Sequence, residues 1–164
     1  MHNSTSEFRK LAPADKRTGF TLTEAILVVL FIGIFSAIAI PKFNQAVILK
    51  YKAEVEAKNI VTHLRRARGL AISNAAVNPT GFSLRLTSSS PYTGYEIVNL
   101  ETSEIIDSHT FDPKVTVTGT ANEFEFGPLG NLTSTYTQVN VSAEGKTFTI
   151  TIIIATGTVK CTES

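Results

Sequence analysis

The chain is poor in cysteine and in net charge, and each shortage removes a class of protein. A single cysteine, Cys161, cannot close an internal disulfide, so a disulfide-stapled secreted scaffold is excluded. Lys+Arg number 15 and Asp+Glu 14, a formal net charge of +1. A dedicated nucleic-acid binder is usually strongly basic, and this balance is not. The three histidines, His2, His63 and His109, are far apart, with no metal-ligand spacing and no nucleophile motif beside them. Gly127-Pro128-Leu129-Gly130 reads as a turn, because no Walker-type lysine and hydroxyl follow it. Neither catalytic residues nor a cofactor or metal site is expected. Internal repeats and long low-complexity linkers are lacking too. Disorder is excluded from the other side: 43% of the 164 residues are hydrophobic and mean hydropathy is +0.12.

That hydrophobicity is unevenly spread. Ala25 to Ile40 reads AILVVLFIGIFSAIAI without a charged side chain. These residues give roughly 24 Å of helix, short of a ~30 Å hydrocarbon core. Starting instead at Phe20 gives roughly 31 Å, enough to span, and brings one carboxylate, Glu24, near one end. Upstream, Arg9, Lys10, Lys16 and Arg17 outnumber Glu7 and Asp15, which places this end in the cytoplasm and exports the remainder. An uncleaved signal anchor accounts for the basic flank and the apolar run. A secretory signal peptide needs its cleavage site after that run, where Ala37 and Ala39 are followed by Pro41 and Lys42. A buried core helix leaves the basic leader without a reason. None of the three explains Glu24, a carboxylate at the edge of hydrocarbon.

Lys16-Arg17-Thr18-Gly19-Phe20-Thr21-Leu22-Thr23-Glu24, followed by the apolar stretch, resembles the type III signal of type IV pilins and type II secretion pseudopilins. The resemblance implies that a prepilin peptidase cuts between Gly19 and Phe20 on the cytoplasmic side and that Phe20 is then N-methylated. It makes Glu24 the assembly residue, with its carboxylate opposite the new α-amino group of an adjacent subunit, a neutralising pair in a helical core. Pro41 falls where many family members carry a helix-kinking proline. The partners implied are other pilins or pseudopilins in a filament, the peptidase, an inner-membrane assembly platform and the membrane itself. The location implied is the bacterial inner membrane, single pass, with the N-terminus cytoplasmic and the head periplasmic, and then the pilus or pseudopilus. The 19-residue leader is longer than is common in the family.

Beyond Pro41 the pattern remains helical. Phe43, Val47, Tyr51, Val55, Ile60, Leu64, Ala67 and Ala71 form one stripe, expected to pack beneath a head, and Glu54 and Lys58 sit at a favourable i, i+4 spacing. Asn78-Pro79-Thr80-Gly81 should end the helix. Seventeen threonines between Thr80 and Thr162, with Val, Ile, Phe and Tyr, then favour strands. Alternation is visible in FSLRL, VTVTG, EFEFG and VNVSA, and Gly145-Lys146 reads as a hairpin turn before KTFTITIIIATGTVKC. Six or seven antiparallel strands in one or two sheets are expected.

The head brings a second resemblance. Phe124-Glu125-Phe126-Gly127-Pro128-Leu129-Gly130-Asn131, Val139-Asn140-Val141, Phe148-Thr149-Ile150 and Ala155-Thr156-Gly157-Thr158-Val159 are similar to the H-type minor pseudopilin domain. The expected fold is therefore α+β and pilin-like, a long N-terminal helix, transmembrane in its first half, packed against an antiparallel β-sheet head. Its parts are a leader (1–19), a transmembrane or filament-core helix (20–41), an amphipathic continuation (42–78) and a β-rich head (79–164). The function implied is that of a minor structural subunit of a type II secretion pseudopilus or a type IV pilus. The alternative implied by the same resemblance is a DNA-binding minor pilin of natural transformation. Relatives of that kind use a basic segment after the closing glycine, but residues 157–164 hold one lysine and one glutamate. Arg65, Arg66 and Arg68 are the only basic cluster and read as a charged helix face. Removing residues 1–19 takes four basic and two acidic side chains from the totals, leaving 11 against 12, which counts further against nucleic acid.

Overall fold

Thr21 starts the first helix. Its side-chain hydroxyl accepts the Glu24 N–H at 3.3 Å, and its carbonyl accepts the N–H groups of Glu24 and Ala25, both at 3.1 Å. In this computed structural model, which describes residues 19–39 and 45–164, helix α1 runs Leu22–Ala39. Its 18 residues give about 27 Å of rise, because the cap at Thr21 begins the helix two residues after Phe20. Among the described residues no helix is long and apolar enough to cross a membrane. The expected span over 20–41 extends into residues 40 and 41, outside the described residues, and so does the expected kink at Pro41.

The chain divides into two units, Met1–Phe43 and Asn44–Ser164. In the first, every described side chain from Phe20 to Ala37 is exposed, and Phe31 stacks on Phe35 one turn later at 6.4 Å.

The second unit is an α+β fold built on helix α2, Gln45–Ser73. Its buried face is Ala53, Glu56, Ala57, Ile60, Val61, Leu64, Ala67 and Ala71, at intervals of three and four. Four alanines on that face let the strands approach closely. Of the expected stripe, Phe43 lies outside the described residues and the other seven are divided. Ile60, Leu64, Ala67 and Ala71 are buried, but Val47, Tyr51 and Val55 are exposed. At 100° per residue these three stand roughly opposite Ala53 and Ala57, so the first turns of α2 are apolar on their outward side. The Glu54–Lys58 pair forms at 2.7 Å.

Past the helix, the buried Asn78 joins three segments. Its amide donates to the Gly81 carbonyl at 3.0 Å and to Asn99 Oδ1 at 2.8 Å, while its own oxygen accepts the Gly81 N–H at 2.8 Å. Eight strands follow, one or two more than expected: β1 Phe82–Thr87, β2 Gly94–Asn99, β3 Ile105–Thr110, β4 Thr116–Gly119, β5 Glu123–Phe126, β6 Gln138–Ala143, β7 Lys146–Ile153 and β8 Thr158–Glu163. They form two four-stranded antiparallel sheets, ordered β3-β2-β1-β5 and β4-β6-β7-β8. The alternating stretches read from the sequence became β1, β4, β5 and β6, and the C-terminal stretch folds into β7 and β8. Inward residues of both sheets, among them Leu84, Ile97, Phe124, Phe126, Val141, Ile150 and Ile152, make one core with the buried face of α2. The sheets meet where Tyr92 N–H donates to the Val117 carbonyl at 2.8 Å and Leu132 N–H to that of Ile154 at 2.9 Å.

Candidate assembly face and the polar contacts of the second helix

The residues singled out for processing and assembly lie at the start of α1. Gly19 and Phe20 precede the helix without regular structure, and Phe20 is exposed, so the 19–20 bond has backbone and side chain open on both sides. Glu24 occupies the third position after the Thr21 cap and is exposed, with no ion pair among the described residues. Thr-x-x-Glu is the capping-box spacing, and a carboxylate in the first turn also suits the positive end of the helix dipole. This local role of Glu24 was legible from Thr21-Leu22-Thr23-Glu24 but absent from the sequence reading.

The basic cluster on α2 is spent within the chain. Arg65 donates to the Val159 carbonyl at 3.4 Å, Arg68 Nε to the Gly130 carbonyl at 3.0 Å, and Arg66 pairs with Asp107. The three guanidiniums hold the helix to β8, to the turn after β5 and to β3. Phosphate binding by this cluster would compete with all three contacts.

His63 of α2 and His109 of β3 flank Tyr95, which is buried on β2, at ring separations of 5.0 Å and 5.3 Å. The Tyr95 hydroxyl lies 2.7 Å from His63 Nδ1, which is also 2.8 Å from the Asn59 carbonyl. His109 faces Glu56 at 2.8 Å, not Asp107 or Asp112, and Glu56 also accepts the Asp112 N–H at 3.2 Å. Burial first, then the carboxylates of Glu56 and Asp107, push the Tyr95 phenol well above its ordinary value, so it stays a neutral hydrogen-bonding group. These contacts explain why a carboxylate is tolerated on the buried face of α2. Among the described residues no group of three or more His, Cys, Asp or Glu side chains is placed to hold a metal ion.

No family model, curated protein or solved structure matches the chain. One cleft of about 460 Å³ is lined by Pro91, Tyr92, Phe111, Pro113 and Val115, with Asp112 as its carboxylate. Asp112 is tied to Lys52 at 2.6 Å, and that bond, then the Lys114 N–H, lowers its pKa. A carboxyl whose folded pKa is depressed adds stability above its unfolded value near 4, and loses it as pH falls through the lower folded value. Lys52→Met should therefore lower the melting temperature at pH 6, with the gap to wild type closing as pH falls below the ordinary carboxylate range. A gap that stays the same as pH falls would show that Lys52 acts through packing alone.

Proposed function

We propose that the protein is a pilin-like structural subunit, a minor component of a type II secretion pseudopilus or a type IV pilus. One observation carries the reading. Phe20 and ten large apolar side chains between Leu22 and Phe35, the ten on all sides of one helix, stand exposed directly after Lys16-Arg17-Thr18-Gly19. A helix apolar all round needs cover, and covering these side chains is worth about 1 kcal/mol each by the area rule, some 10 kcal/mol in total. Lipid supplies that cover before assembly, and helices of neighbouring pilin subunits supply it afterwards. The basic leader holds the 19–20 bond at the cytoplasmic face of the inner membrane, within reach of a prepilin peptidase, and the head lies in the periplasm.

Assembly has one polar requirement. Cleavage frees an amine on Phe20, and Glu24 is the only charged side chain of α1. In an apolar core each neutralises the other between neighbouring subunits, whereas either alone is a buried charge. Intact-mass measurement of the chain purified from membranes of a host carrying the peptidase should find Phe20 as the first residue, with one added methyl group. Glu24→Ala should leave the cut, the export and the head intact while filaments fall at least tenfold in sheared-filament preparations. An unprocessed N-terminus in the wild type, or normal filaments from Glu24→Ala, contradicts the proposal.

A further inference from the structure

We infer that copies of this chain meet head to tail, the end of the head around Leu129 docking on the outward stripe of α2 in a second copy. The inference rests on the filament reading and names a contact which that reading leaves open. The docking end is built where α2 finishes. Leu129 is 87% exposed, and Ile154 and Val77 are exposed at the same end. The turn carrying Leu129 is fixed: Gly130 N–H donates to the Gly127 carbonyl at 2.8 Å, Gly127 N–H to that of Asn131 at 3.0 Å, and Arg68 holds the Gly130 carbonyl. A large aliphatic side chain on a rigid turn loses little entropy when it docks, as interface anchors do.

The receiving surface is the outward stripe of α2, Val47, Tyr51 and Val55, of which Tyr51 is 65% exposed. Along the same side the helix turns polar from Lys58 through Thr62 to Arg65 and Arg66, so the apolar part ends after Val55. Gly130 abuts Ile72 near the far end of α2, which puts Leu129 about 30 Å along the helix from Tyr51. The two surfaces cannot meet within one chain, and each is of the kind the other needs. Charge follows the same polarity. Glu101 and Glu104 sit in the β2–β3 turn, whose Leu100 N–H donates to the Gly81 carbonyl near the end of α2. Lys50 and Lys114 lie near its start, Lys114 beside Ile48 and Leu49. None of these four is in an ion pair among the described residues. A contact between two different patches of one chain leaves a free patch on each copy, so further copies add until a ring closes or, where the rotation does not close, as an open helical array.

The test uses the full-length chain with Cys161→Ser and two new cysteines, Tyr51→Cys and Leu129→Cys. Their separation forbids a bond within one chain, since a disulfide needs Cα atoms within about 7 Å. Oxidation of assembled material should give a ladder of covalent dimers, trimers and longer chains on non-reducing gels. Each single-cysteine chain should stop at traces of dimer. Tyr51→Asp and Leu129→Asp should each cut pelleted assemblies at least tenfold while the head melts as in wild type, and Thr62→Asp should assemble normally. Assembly of the double-cysteine chain without a ladder, or normal pelleting of both aspartate variants, overturns this contact and leaves the filament reading standing. A wild-type chain that never enters filaments in a host supplying the other pilins overturns both.

Discussion

Gly157→Ala is expected to cost about 4 kcal/mol of stability and to lower the melting temperature of the head by about 15 °C. Gly157 has φ +62°, where an alanine costs roughly 1–2 kcal/mol on backbone grounds alone. The added Cβ would also stand 2.0 Å from the Gly130 carbonyl oxygen. That oxygen is backbone, and Arg68 binds it, so relief requires moving the turn after β5 and breaking the arginine contact. Gly145→Ala is the control. Its φ is +76°, yet nothing lies within 4 Å of the new methyl, so it should pay the backbone cost only. Thermal melts by circular dichroism separate the two. Equal losses would mean that the corner between Gly130 and Gly157 yields freely.

That corner shows how much of the head was legible in the sequence. The turn Gly127-Pro128-Leu129-Gly130 was visible as a local signal, whereas the turn ending at Gly157 lay unread within the C-terminal stretch. Their joining through Arg68 spans 62 residues of sequence and leaves no local trace, so the arginine cluster read as a solvated face. Glu56 is equally silent in the sequence. Its partner His109 is 53 residues away, and a glutamate looks out of place on a buried face until that partner is known. The strands were easier, because alternation is a property of neighbouring residues.

The helix α2 was misread for a different reason. Periodicity gives most weight to large apolar side chains, and Val47, Tyr51 and Val55 extend the spacing of Ile60 and Leu64 by steps of four and five. The true inner face near its start is Ala53 and Ala57, whose small side chains admit the sheets and give a weak signal. Two apolar faces therefore share the first half of α2, one for the head and one outward. The cap at the start of α1 is local by contrast: Thr21 and Glu24 stand three residues apart, and the hydrogen bond between them depends on that spacing alone.

The same consecutive spacing sets up the second large effect. Leu30→Asp should abolish both membrane retention and assembly of the full-length chain. Leu30 lies near the middle of α1 and is exposed. On the insertion scale a leucine at a helix centre contributes about −0.5 kcal/mol and an aspartate about +3 kcal/mol, a swing of about 3.5 kcal/mol, or several hundredfold in partition. In a filament the cost recurs in every copy, because Leu30→Asp supplies a carboxylate with no second amine to meet it. Glu24 sits in the first turn at the positive end of the helix dipole, and under the proposed processing it would also meet the amine freed at Phe20. Gly33→Ala, which adds a methyl with nothing within 4 Å, should fractionate and assemble as wild type. Membrane flotation and filament shearing read the two steps separately. Retention of Leu30→Asp in membranes at wild-type levels would mean that α1 is not what holds the chain there.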